Sequence, residues 1–368
     1  MNLATMLEEY GDSPLLAIGG ALIGLMFGFF AQRSKFCLRA ATIEFWHHKF
    51  GEKLSVWLLA FSTAVVVVQG LIVAHALDTS TARQIAARGS LSGALVGGLL
   101  FGAGMIMTRG CASRLLVLSA NGNLRALLSG LIFAVTAQAA LGGSLEPLRL
   151  AISSWWTVEG GPSRDLLAIT GMGHWGGLAV GMVWFAAALY FAIHSGWGFW
   201  KWVGGVGTGL AVAAGWWYTY LVAHDSFNVV QVQGLTFSGP SAEWLMRVLY
   251  SPAPRIGFDF GLLPGVFAGS FIGALVGKEF QLEGFKDGYS MRRYIAGAIL
   301  MGFGSMLAGG CAVGAGMTGG SVFALTAWLA LIGMWAGAGI TDRLLDSQAD
   351  RPQPSEQVVG TPATMRAP

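Results

Sequence analysis

The chain has 368 residues, of which 54% are hydrophobic and only 11% charged, with a formal net charge of +3 and a mean hydropathy of +0.60. A soluble domain carries roughly 25% charged residues, so this composition cannot cover a water-facing globule, and the small net charge makes no case for nucleic acid. Cys37, Cys111 and Cys311 lie too far apart for a CxxC pair, a metal-ligand set or an even disulfide framework; free thiols are expected, with no metal and no cofactor.

In chain order, residues 1–14 carry Glu8, Glu9 and Asp12 where a cleavable signal would carry basic residues, so the first span is expected to be retained. Apolar runs near 15–33, 54–77, 91–107, 124–143, 172–194, 200–222, 261–277, 294–308 and 321–341 predict helices, and the longer ones reach across about 30 Å of hydrocarbon. The expected fold class is all-α: a polytopic transmembrane helical bundle of two related halves with short re-entrant or broken helices meeting at mid-membrane. The polar stretch 145–171 divides an N-terminal half, 1–144, from a C-terminal half, 172–346, and the Pro-, Gln- and Ser-containing tail 347–368 is expected to be disordered. Ala223 to Gly261, with Pro240, Pro252 and Pro254, predicts an excursion outside the core of the second half. The pairs Trp155/Trp156 and Trp216/Trp217 are expected in interfacial belts, and Gln69, His75, Gln138 and His174 in interhelical hydrogen bonds. Gly273–Glu279, GALVGKE, has the wrong length for a phosphate loop and reads as a helix end. No span contains an obvious buried carboxylate.

Self-similarity is the most informative feature. Gly24–Cys37 reads GLMFGFFAQRSKFC, Gly98–Cys111 reads GLLFGAGMIMTRGC, and Ala298–Cys311 reads AILMGFGSMLAGGC. Gly28, Gly102 and Gly302 stand at the same distance before their thiols, Gly104/Gly304 and Gly110/Gly310 match between the later copies, and Lys35/Arg109 match between the earlier ones. A fourth, degenerate copy without cysteine is expected over Gly205–His224. Repeated halves with Gly-interrupted segments are the usual construction of transporters and channels.

One isolated cysteine would read as a small core residue; three at one repeat position point to shared use. A thiol in apolar surroundings stays protonated, which makes it a weak donor and a soft, polarizable surface suited to a sulfur ligand. The hard oxygens of such an anion need backbone N–H groups or cations, and the candidates are Lys35, Arg109 and Arg114, with Gly110 and Gly310 letting backbone come close. Arg33 and Arg39 read equally well as interfacial charges.

RSKFCLRAA around Cys37, TRGCASR around Cys111 and GFGSMLAGGCAVGAGMTGG around Cys311 resemble the YeeE/YedE family of sulfur-transport membrane proteins, over most of 15–341. The resemblance implies a multi-pass protein of the bacterial inner membrane, not an enzyme, that passes thiosulfate along a constricted path by S–H hydrogen bonds from the three cysteines. It further implies a cytoplasmic TusA-like sulfurtransferase as partner. A membrane thiol oxidoreductase, or a channel for another sulfur or selenium anion, remain as alternatives.

Overall fold

The computed structural model describes residues 7, 9–249, 256–284 and 288–346; the tail expected over 347–368 lies outside the described residues. In lipid a backbone must satisfy its own polar groups, which favours helix wherever the sequence is apolar. The major helices are α1 Asp12–Ser34, α2 Leu38–Trp46, α3 Glu52–Val73, α4 Leu91–Met107, α5 Ala112–Ala120, α6 Leu124–Gly142, α7 Gly173–His194, α8 Phe199–Asp225, α9 Ser238–Leu249, α10 Phe258–Val276, α11 Gly288–Leu307, a π-helix Ala312–Gly319, and α12 Leu325–Asp346. Among the described residues eight helical stretches are long and apolar enough to cross a bilayer, so the chain is a polytopic helical membrane bundle. The segment 145–171 is more ordered than a plain loop: it holds helices Glu146–Ser153 and Leu166–Thr170, and Thr157–Val158 pairs antiparallel with Gly89–Ser90.

A long helix, a break, a short helix and a second long helix follow one another in α1–α2–α3, α4–α5–α6, α11–π–α12 and α8–α9–α10. The last of these breaks falls later than the sequence indicates. Helix α8 runs unbroken through His224, because Gly204 and Gly209 serve contact rather than interruption: a Cβ there would meet the Phe30 and Ala60 carbonyls.

Glycine decides which helices touch. Gly20, Gly24 and Gly28 of α1 face the carbonyls of Phe258, Leu262 and Val266 on α10, while Gly261, Gly265 and Gly269 of α10 face those of Ala17, Ala21 and Leu25. The same lock joins α4 to α12, with Gly98 and Gly102 against Ala330 and Met334, and Gly333 and Gly337 against Leu95 and Leu99. In both pairs the numbering rises together, so the helices are parallel. With no hydrophobic drive between helices in lipid, close backbone packing of this kind holds them. The short helices then cross over: α2, which follows α1, packs on α12, and α5, which follows α4, packs on α10.

The pairings also fix direction. α1, α4, α10 and α12 finish at one end of the bundle, where Arg125 at the start of α6 reaches Thr108 O (2.8 Å) and Lys35 reaches Glu279 (3.1 Å). α11 runs antiparallel to α4, with Gly97 beside Ala308 and Gly104 beside Gly297, and so finishes at the opposite end. The breaks carrying Cys37 and Cys111 are thus entered from one end, and that carrying Cys311 from the other.

Two expectations are corrected. The stretch after α8 is not an excursion outside the core: Val232, Leu235 and Phe237 are buried, the Thr219 hydroxyl bonds both backbone groups of Gln233 (2.7 and 3.1 Å), and Thr318 donates to Leu235 O (2.6 Å). These threonines satisfy an extended backbone that could not otherwise lie between helices. Trp216, read as interfacial, is fully buried and donates to Thr318 O (3.3 Å), whereas Trp155, Trp156 and Trp217 are exposed.

In the lock of α1 and α10, Gly265→Ala forces its Cβ onto the Ala21 carbonyl and is expected to cost about 1–3 kcal/mol, the usual range for overpacking. Gly130→Ala in α6, which meets nothing within 4 Å, should be neutral or stabilising by about 0.5–1 kcal/mol. Thermal unfolding of the two purified variants in one detergent checks the contrast.

Candidate functional site

Each cysteine stands at the start of the short helix after its break, as the N-cap of α2, α5 or the π-helix. The chain arrives there through a left-handed residue that ends the preceding helix: Lys35 (φ 56°), Arg109 (φ 59°) and Gly309 (φ 78°). The next amide folds back on the helix, Phe36 N to Ala31 O, Gly110 N to Met105 O and Gly310 N to Ser305 O (3.0, 3.2 and 2.9 Å), closing orphan carbonyls in the Schellman manner. The left-handed residue is exposed in all three, and Gly110, Cys111, Gly310 and Cys311 directly behind it are buried. At Cys111 and Cys311 exposure therefore stops about two residues short of the thiol. Gly310 is needed for packing, since a Cβ would strike Ala315 N; a Cβ at Gly110 would find ordinary contacts.

Cys111 is fully buried, Cys311 is 1% exposed, and Cys37 is intermediate; all three are free. Cys111 lies within electrostatic range of both Cys37 and Cys311. Cys111 Sγ caps no backbone N–H of α5, whereas the Gly314 N–H donates to Cys311 Sγ (3.5 Å). A sulfur held as acceptor in this way keeps its S–H free to donate. Cys111 Sγ also lies 3.4 Å from Ser113 Oγ. Around the breaks Phe27 packs on Phe36 and Phe237 (centroids 6.3 and 5.3 Å), and all three rings are buried.

The charged candidates sit at the end shared by the Cys37 and Cys111 breaks. Lys35 Nζ pairs with Glu279 Oε1 (3.1 Å), Gln32 Nε2 donates to Glu279 Oε2 (2.7 Å), and Arg114 Nη1 reaches Gln32 Oε1 (3.4 Å). Arg109 is exposed at the C-terminus of α4, where a cation suits the helix dipole. Arg33 lies over the Trp200 ring (4.5 Å).

At the opposite end a cavity of about 460 Å³ reaches Gly309, Gly314 and Ala315, which flank Cys311. Arg83, Arg88, Arg149 and Arg164 line it, against Glu243 and Asp259. Burial, with Arg83 nearby, lowers Arg164 to about 10, so it remains charged at neutral pH; its guanidinium is fixed on Thr326 Oγ1 (2.7 Å) and Ala87 O (2.5 Å). Burial pushes Glu243 above the usual carboxylate range, with Arg83 and Arg247 opposing.

Sequence reasoning passed over these arginines, Glu279, and the buried Asp342 of α12, which meets His47 at 2.7 Å. The signal for the arginines was available: Arg83, Arg88, Arg149 and Arg164 fall in the two segments that pair as Gly89–Ser90 and Thr157–Val158 or flank them. Gln69 makes the expected interhelical bond, donating to Ser321 O (2.7 Å), whereas His174 is exposed. GALVGKE is a helix end as read, α10 stopping at Val276.

The chain matches the family described as sulphur transport over residues 33–340. It is 25% identical to the thiosulfate transporter TsuA of Spirochaeta thermophila over 347 residues, which covers 88% of this chain and 98% of that protein. The thiosulfate transporter TsuA of Escherichia coli is 23% identical over 344 residues, 88% of this chain and 92% of its own. The probable transporter YedE of Escherichia coli is 37% identical over a shorter stretch of 113 residues, 28% of each chain.

Burial orders the thiols chemically. In the folded protein a maleimide should modify Cys37 at least about tenfold faster than Cys111 or Cys311, since exposure governs thiolate access. Peptide mass spectrometry after timed quenching reads the order, and equal rates would contradict it.

Proposed function

Since this chain belongs to the sulphur-transport family, we propose that it imports thiosulfate through the bacterial inner membrane, along a narrow path on which Cys37, Cys111 and Cys311 present protonated thiols. The observation that carries the reading is the convergence of three N-cap cysteines, entered from opposite ends, with Cys111 in range of both others. The chain acts in this account as a carrier, not an enzyme.

The cavity beside Cys311 collects the anion. Four arginines against two carboxylates give it a positive field, which raises the local concentration of a dianion. At the constriction, full charges would be costly to keep dry, about 2.5–3.5 kcal/mol each on insertion scales. Neutral S–H donors avoid that cost, and they would bind too softly to trap the ion, as conduction through a multi-site path requires. Gly110 and Gly310 lie directly beside the thiols in this scheme, and Lys35, Arg109 and Arg114 receive the anion at the far end. That end also carries Arg33, Lys49, Lys53, Lys201 and Lys278, and in this account the positive-inside rule makes it the cytoplasmic one. A TusA-like sulfurtransferase would meet the anion there.

The exposed Arg109 and the Arg114 guanidinium beside Gln32 also fit another sulfur or selenium oxyanion of similar size, so substrate choice rests on competition. Cys111→Ala should lower the initial rate of thiosulfate uptake at least about tenfold, the factor given by 1.4 kcal/mol of lost stabilisation in the constriction. Labelled thiosulfate uptake by cells stripped of other importers, with excess sulfite or selenite as competitor, reads both points; an unchanged rate in Cys111→Ala removes the thiol path.

A further inference from the structure

The cationic end carries its own anion. Glu279 stands just past the end of α10, and its two carboxylate oxygens are divided between two partners from α1 and its cap: Oε1 on Lys35 Nζ at 3.1 Å and Oε2 on Gln32 Nε2 at 2.7 Å. Gln32 is only 2% exposed, and its other amide atom, Oε1, faces the Arg114 guanidinium at 3.4 Å. One buried amide thus connects the carboxylate to Arg114, three residues beyond Cys111 in α5. Lys35, on the other side, is two residues from Cys37. Hydrogen-bond donors, a lysine ammonium and a guanidinium gathered beside two thiols form a receptor for an oxyanion, and a carboxylate already fills it.

We propose that Glu279 is a built-in competitor for the departing anion: its carboxylate occupies the donors of Gln32 and Lys35 that an oxyanion leaving Cys111 and Cys37 would otherwise take, and by returning to them it drives release. The proposal rests on the thiosulfate reading for the identity of that oxyanion, though not for the existence of the receptor. Two features suit a displaceable group. Lys35 is 59% exposed and Glu279 31% exposed on their side chains, and exposed ion pairs are weak enough to open readily. The buried Gln32 amide, by contrast, is held from two sides and stays in place while the carboxylate leaves. An empty receptor would be worse for turnover, because two cations with no counter-charge would keep the anion that reaches them. Tight binding of this sort lowers KM without raising the rate.

Glu279→Gln tests this, since it keeps a group of the same shape on Gln32 and removes the charge. In proteoliposomes the variant should show a KM for labelled thiosulfate about tenfold lower and a maximal rate lowered by a similar factor, the size of effect that one exposed charge partner supports. Glu279→Asp, which restores the charge, should recover part of the rate. An equilibrium arm separates the two readings: thiosulfate and sulfate binding to the purified protein should each tighten about tenfold in Glu279→Gln whether or not the wild type transports either. Unchanged binding in a monodisperse variant overturns the competitor role, as does a loss of rate with KM unmoved. Tighter binding in Glu279→Gln with no thiosulfate uptake by the wild type would sustain the receptor and reject the substrate assignment.

Discussion

Backbone-to-backbone contact at glycine is the constraint from which the rest follows. α1 with α10, and α4 with α12, approach so closely that the carbonyl of one helix fills the place where the other would carry a Cβ. Lipid gives no hydrophobic reason for helices to associate, so shape must do it. Once the two parallel pairs exist, the chain leaving each first helix has one short way on: α2 crosses to the α12 side and α5 to the α10 side. The cysteines begin those crossings, which is why residues far apart in sequence arrive near one another. Their spacing from Gly28, Gly102 and Gly302 is the distance from the packed face to the break.

Along the route proposed above, electrostatics marks three zones. Charge is confined to the ends, with the arginine-lined cavity at one and Lys35, Arg109 and Arg114 at the other. Between them lie the buried Cys111 and Cys311, the half-buried Cys37, small residues and the rings of Phe27, Phe36 and Phe237. A dianion moving inward also works against an inside-negative potential, at about 2.3 kcal/mol per charge per 100 mV. Binding too tightly anywhere would stall it, and in the proposed scheme neutral sulfur donors in the middle and a carboxylate competitor at the exit would both hold affinity down.

Much of this was legible before any coordinates. The all-helical membrane class followed from low charge content together with the long apolar runs, and the aligned cysteine segments located all three breaks, because a helix interruption leaves the same trace each time: an apolar run, a glycine or cation with φ above zero, then the thiol. The fourth break left no such trace. Its glycines, among them Gly204 and Gly209, are consumed by packing on α1 and α3, and the interruption comes only after Ser226. The stretch 232–237 was misjudged because its prolines lie nearby and its burial depends on Thr219 and Thr318, side chains distant in sequence that no local pattern reveals. Glu279 was read as part of a helix end, which it is; that its carboxylate meets Lys35 and Gln32 is a fact of tertiary packing. Lys35 and Arg109, matched in the repeat and read as candidate cations, are exposed left-handed residues at the ends of their helices.

The most direct test of the central claim is a structure of the protein with selenosulfate, whose heavy terminal atom can be located without ambiguity by anomalous scattering. The account predicts a selenium position in contact with Cys111 Sγ and within reach of Cys37 or Cys311, with the oxygens toward backbone N–H groups. Selenium sites confined to the outer cavity or the lipid-facing surface, with the three sulfurs in contact only with one another and the surrounding core, would contradict it.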